Sequence, residues 1–199
     1  MSLSNPIVQR DAAERIGSDG GAPRCGRCVG IVIGVPEPMA SDLRRARASF
    51  GDPLAALIPA HITLVTTTET ADWEESARHV REVAARHAPF DVTLRGTGTF
   101  RPVSPVVYLR LDEGFNECSA LHKEMQSGPL ERDLPFPYHP HVTVAHDVSD
   151  AGMDAAMASL SDYRARFTVR KVGLYEHDED GLWKLREEIP LGSRAADVA

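Results

Sequence analysis

The sequence predicts an α+β fold of two pseudo-equivalent lobes, each an antiparallel sheet with helices packed outside, facing one another across a central cleft. Three observations predict it. Short β-branched segments alternate with amphipathic helical ones, and the order strand, helix, strand, strand occurs twice. The segments HITLVTTTET at 61–70 and HVTVAHDVSD at 141–150 also echo one another. Two copies are too few for a stacked solenoid, so a pseudo-twofold pair remains. A chain of 199 residues, 42% of them apolar, supplies one such unit and not several domains.

Residues 1–26 contain Gly, Ser, Asp and Arg without periodicity, the pattern of a mobile tail, and 193–199 read the same way, so the bilobal domain spans 27–192. Residues 28–35 form a continuous apolar run, a buried strand. Residues 36–50 place Leu43, Ala46 and Phe50 at helical spacing, and 60–67 are short and β-branched. A helix over 69–87 carries Trp73, Ala77, Val80 and Ala84 on one stripe and stops before Pro89. His79 and His87 lie on it among Arg78, Arg81 and Arg86 and read as solvated. Strands follow at 90–100 and 106–112, around a turn with Pro102, Ser104 and Pro105.

The second half repeats the plan. Residues 115–126 are helical in pattern, and a Pro-rich loop at 129–140 delivers the chain to a strand at 141–147. Asp150 can cap a helix that runs to about residue 160, and two strands, 166–176 and 182–189, flank the acidic turn 177–181.

The formal charge of −7 and pI near 5.6 argue against holding long duplex nucleic acid on a basic surface, while a small anionic ligand needs only local donors. There is no run of about 18 apolar residues and no basic-then-apolar start, so a soluble cytoplasmic protein that avoids membranes, and a monomer, is expected. Three cysteines do not suit a disulfide framework. Cys25 and Cys28 form a C-x-x-C with no second pair to complete a zinc site, and Cys28 leads into a strand, where a redox motif would open a helix.

Side chains alternate along a strand, so His61 and Thr63 share one face while Ile62 and Leu64 share the other; His141 and Thr143 stand likewise against Val142 and Val144. Each apolar side chain buried beneath a helix stabilises the fold by about 1.5–3 kcal/mol, which commits the polar pair to the opposite face. If the lobes are pseudo-symmetric, two imidazoles and two hydroxyls meet across one cleft. That set suits phosphodiester cleavage. One imidazole takes a proton from the attacking oxygen, the other gives one to the leaving oxygen, and the hydroxyls donate to the non-bridging oxygens. His139, His141 and His146 with Asp147 could instead be read as a metal cluster. The binuclear pattern H-x-H-x-D-H is broken, however, by Thr143 and Val144, so neither metal nor cofactor is expected. Phe100, Tyr138 and Tyr175 fall at strand or loop ends near the cleft, where a base can stack, and Arg101 offers positive charge from the same edge. Cys118 and His122, four apart on a helix, are too few ligands for a site.

HITL at 61–64 and HVTV at 141–144, the latter inside FPYHPHVTVAH, resemble the paired signature of the 2H phosphoesterase superfamily. The similarity spans about residues 28–190, and the closing LYEHDEDGLWKLREEIPL resembles the last hairpin of the bacterial branch labelled 2′-5′ RNA ligase or RNA 2′,3′-cyclic phosphodiesterase. The resemblance implies metal-independent hydrolysis of a cyclic phosphate, with catalytic roles for His61, Thr63, His141 and Thr143. Phe100, Arg101, Tyr138 and His146 are the candidate substrate contacts. RNA-processing members commonly continue the second motif into an Arg, and His146 stands at that place here. A mononucleoside or ADP-ribose cyclic phosphate therefore stands beside an RNA terminus as a substrate class. A non-catalytic nucleotide-binding module, and 2′-5′ ligation or cleavage of RNA ends, are the alternative functions.

Overall fold

The computed structural model describes residues 7–8, 27–177 and 182–192. The strands are β1 (Ile7–Val8), β2 (Cys28–Gly34), β3 (His61–Glu69), β4 (Phe90–Thr99), β5 (Val106–Glu113), β6 (His141–His146), β7 (Arg164–Val169), β8 (Lys171–His177) and β9 (Leu182–Pro190). The helices are α1 (Met39–Ser49), α2 (Trp73–Arg86), α3 (Phe115–Met125) and α4 (Asp150–Ser159). The two predicted antiparallel sheets meet edge to edge, giving the order β1-β9-β8-β2-β3-β6-β5-β4-β7. They join at β3 and β6 through one registered pair, Ile62 with Val142.

The repeat is interlaced. β4 closes the first half of the sequence yet pairs with β5 and β7, while β8 from the second half pairs with β2. The helices cross over as well, α3 packing on β3 and α1 on β6. Neither half completes its sheet from its own strands.

Only Arg170 separates β7 from β8, although five strands lie between them in the sheet. At about 4.8 Å per strand a flat sheet would hold them about 29 Å apart. Consecutive Cα atoms span about 3.8 Å, so the sheet must curl. This break corrects the expected continuous strand over 166–176. Phe167 and Val169 are buried on β7, then Val172 and Leu174 on β8, so the buried parity switches at Arg170.

Two further boundaries move. β3 runs on to Glu69 because Thr68 and Glu69 stay paired with Val29 and Cys28. α2 starts only at Trp73, where the Asp72 carboxylate accepts from the Glu74 and Glu75 amides at 2.9 and 3.1 Å. His79 and His87 are not simply solvated, since both reach Glu124 on α3 and lie in the seam between the two helices. Ile7 and Val8, inside the segment read as a tail, pair with Trp183 and Leu182. The rest of 1–26, the turn at 178–181 and 193–199 lie outside the described residues. Cys28 is buried and disulfide-bonded, and Cys118 is a buried free thiol. Among the described residues no helix is long and apolar enough to cross a membrane.

The sheet has one face under the helices and one open face. Ile62, Leu64, Val142 and Val144 are fully buried in the core with Leu121, Val80 and Ala156 from the helices, whereas His61, Thr63, His141 and Thr143 are half-buried on the opposite side.

Candidate active site

Both His-x-Thr-x strands carry the same irregularity. Val32 pairs with Thr63 and Ile31 with Val65, leaving Leu64 as an extra residue; Tyr108 pairs with Thr143 and Val107 with Ala145, leaving Val144 extra. A bulge inserts one residue and re-aims the side chains beyond it. Here it returns Thr66 and His146 to the half-buried, open side of their strands. The doubled apolar residues Leu64-Val65 and Val144-Ala145, which interrupt the alternation, are its mark in the sequence.

Each imidazole is anchored identically. The His61 Nδ1–H donates to the Pro59 carbonyl at 2.8 Å, and the His141 Nδ1–H donates to the His139 carbonyl at 2.7 Å. The lone pair of each neutral ring is thereby placed on Nε2. Continuing the Ile62–Val142 register one residue each way sets His61 level with Thr143 and Thr63 level with His141. The two histidines are then diagonal neighbours, with backbones about 7–8 Å apart, and the two threonines occupy the other diagonal.

Past this pair the strands part. The Tyr138 hydroxyl donates to the Thr63 carbonyl at 3.0 Å, and the His122 Nδ1–H donates to the Leu64 carbonyl at 2.7 Å. The two rings stack on each other with centroids 3.8 Å apart and planes at 7°. They satisfy carbonyls that a longer ladder would have used, and so wedge the cleft open.

The walls differ. On the β6 side Phe100 lies edge-on to His141 at 5.0 Å and tilted on Tyr108 at 4.4 Å, and Tyr108 is 5.2 Å from His141. Gly98 makes room for Tyr108, since a Cβ there would fall 2.6 Å from its ring. On the β3 side Gly34 pairs with His61, and a Cβ at Gly34 would meet nothing within 4 Å. Farther out, Ile58 and Trp183 form a separate apolar cluster with Leu54 and Tyr175.

Burial lowers both imidazole pKa values. His141 falls to about 4, chiefly by desolvation and then by the charges of His139 and His61. His61 falls below its usual value by desolvation, with Arg47 adding to the effect. Arg47 is itself paired with Asp52 at 2.8 Å and donates to the Ile58 carbonyl. Both rings are therefore neutral at pH 7 in the unliganded protein.

Of the other residues singled out in the sequence, Phe100 reaches the site. His146 stands on its face with a buried Nε2 that makes no hydrogen bond and lies 3.8 Å from an Asp147 oxygen. Arg101 donates to Asp154 on α4 at 2.8 Å, so its charge is compensated. Tyr138 has its hydroxyl on the Thr63 carbonyl of β3 and its ring on His122. Tyr108 was missed, a Tyr set in the apolar run of β5 being the available sign, and His122 was weighed only beside Cys118 as a ligand, not as a partner of the Leu64 carbonyl. His139, His141, His146 and Asp147 do not gather into a metal-holding group, and no such group exists among the described residues.

Residues 35–181 match the 2′-5′ RNA ligase superfamily. A Bacillus thuringiensis (strain Al Hakam) protein with the provisional name phosphoesterase is 30% identical over 168 residues, 82% of this chain and 96% of its own length. Among solved structures, Escherichia coli LigT complexed with 3′-AMP superposes with a TM-score of 0.60 at 19% identity, over 84% of this chain and 99% of LigT. A Thermus thermophilus protein gives 0.56 at 18% identity, over 84% and 99%. These two likenesses establish the fold. With the matched region covering most of the chain, and both His-x-Thr-x strands inside it, the chain belongs to the 2′-5′ RNA ligase superfamily of 2H phosphoesterases.

Proposed function

We propose that the protein hydrolyses a cyclic nucleotide phosphodiester, with His61 and His141 as its acid and base. The observation that carries this reading is the pair of identically anchored imidazoles, each with Nε2 free, on diagonal positions of one open face. A phosphate between them has one Nε2 on either side of phosphorus and a Thr63 or Thr143 hydroxyl on the crossing diagonal. One imidazole removes a proton from water as its oxygen attacks phosphorus. The other protonates the departing ribose oxygen, opening the ring to a phosphomonoester. The hydroxyls donate to the non-bridging oxygens where charge gathers.

The lowered pKa values fit this use. A bound phosphodiester brings a negative charge against both rings and raises their pKa, so one ring gains its acidic proton as substrate binds. Phe100 offers a face for the base, and His146, on the open side of β6 at the place where the resembled RNA-processing members commonly carry Arg, is a further candidate contact. LigT, which shares the fold, has been crystallised with 3′-AMP, ATP and NADP+.

The test is a product-resolved assay of 2′,3′-cyclic nucleotides, ADP-ribose cyclic phosphate and 2′-5′ dinucleotides, with His141→Ala as background. Turnover of a cyclic phosphate to a monoester by the wild type alone is expected. Calorimetric nucleotide binding without turnover across the panel would instead make the protein a binding module.

A further inference from the structure

We infer that Arg110 forms a second anion subsite beside the histidine pair, one that takes the 5′-phosphate of a nucleotide whose 2′ and 3′ oxygens carry the cyclic phosphate. This rests on the cyclic-nucleotide reading above and narrows its substrate class.

Arg110 pairs directly with His141 in the β5–β6 register, so both side chains leave the same face of the sheet. Its guanidinium lies over Gly96 of β4, where a Cβ would stand 3.2 Å from Nη2. Gly96 has φ +61°, a left-handed conformation that suits glycine, and its missing side chain leaves the shelf on which the guanidinium rests. Beside it a depression of about 430 Å³ is lined by Arg95, Arg110, Leu111 and Asp112. Arg95 and Asp112 pair at 3.3 Å, and Arg110 has no ion-pair partner among the described residues, so the depression carries one uncompensated positive charge. Two other cations near the cleft are already used, Arg47 by Asp52 and Arg101 by Asp154.

Position then names the ligand. The guanidinium points away from the seam of β3 and β6, toward β4, about 12 Å outward by strand spacing. It is therefore directed at a group beyond the reacting phosphorus. In a ribose 2′,3′-cyclic phosphate two of the sugar oxygens open to phosphorylation are taken, and a further phosphate can hang only from the 5′ oxygen. Stacking against Phe100 on the same side keeps such a nucleotide over β5, with its 5′ end toward Arg110.

The experiment compares 3′-AMP with adenosine 3′,5′-bisphosphate by calorimetry at low salt, for the wild type and for Arg110→Gln, with thermal melting to check folding. The wild type is expected to bind the bisphosphate about five- to tenfold more tightly, a preference lost in about 0.5 M salt. Arg110→Gln is expected to bind both equally, with its affinity for 3′-AMP unchanged. Equal binding by the wild type, or a preference that survives in Arg110→Gln, overturns the subsite alone. No binding of either nucleotide to the wild type overturns the proposed function as well.

Discussion

β3 and β6 present the same motif through the same backbone, yet they set it in different surroundings. In both, the histidine donates to the carbonyl two residues earlier and a bulge follows the threonine. His141, however, is walled by Phe100 and Tyr108, while His61 has Gly34 beside it and open space above that glycine. The shared features are those the proposed acid and base pair needs on both sides of phosphorus. The unequal walls fit the proposed substrate if it carries one nucleoside, since only one side then has to receive a base. Internal symmetry here preserves reaction geometry and leaves recognition free to diverge.

The most severe test of the shared half is removal of each imidazole. His61→Ala and His141→Ala are expected to lower kcat by about 10² to 10⁴, measured on a cyclic nucleotide with folding checked by circular dichroism. The base fails below its pKa because it must be neutral, and the acid fails above its pKa because it must be protonated. With both values lowered in the free protein, kcat/KM of the wild type should peak on the acid side of 6.5. The kcat profile, governed by the phosphate-bound form, should peak at higher pH. Each single mutant should lose one limb, and the missing limb identifies that residue's role. A mutant that keeps both limbs removes its histidine from the pair, and superimposed kcat and kcat/KM profiles would mean that the phosphate does not sit between the rings.

A smaller effect is expected from the hydroxyls. Thr63→Val and Thr143→Val should each reduce kcat by about 10- to 100-fold, since each removes a single donor to the transition state. Similar losses sharpen the symmetry, and a loss confined to one strand breaks it. The smallest effects probe the walls. Phe100→Leu should raise KM for a cyclic nucleotide about tenfold with kcat little changed, the size of a lost base stack. Gly34→Ala, which adds a methyl group to open space, should leave KM within about twofold. A larger effect at Gly34 than at Phe100 would place the nucleoside on the β3 side.

Much of this was legible in the chain. Alternation gave His61 and Thr63 a face opposite to Ile62 and Leu64, and the echo at 141–144 identified the partner strand; both features survive in the fold. The bulges and the break at Arg170 are also written locally, as doubled apolar residues and as a change of buried parity between Val169 and Val172. Arg101 and Tyr138 show where local reading runs out. Each looks like a substrate contact from its neighbours, but Asp154 lies 53 residues from Arg101 and Thr63 lies 75 from Tyr138.

Which residues turn inward was thus determined by sequence alone, because a strand repeats every two residues and apolar burial follows that repeat. Only the tertiary structure decided that β4 and β8 change lobes, that Tyr138 and His122 hold the seam open, and that His141 stands against Phe100 while His61 stands beside a glycine. Those outcomes depend on pairings between residues distant in the chain, and a charge or a ring placed there changes a pKa through space, a path that no local pattern records.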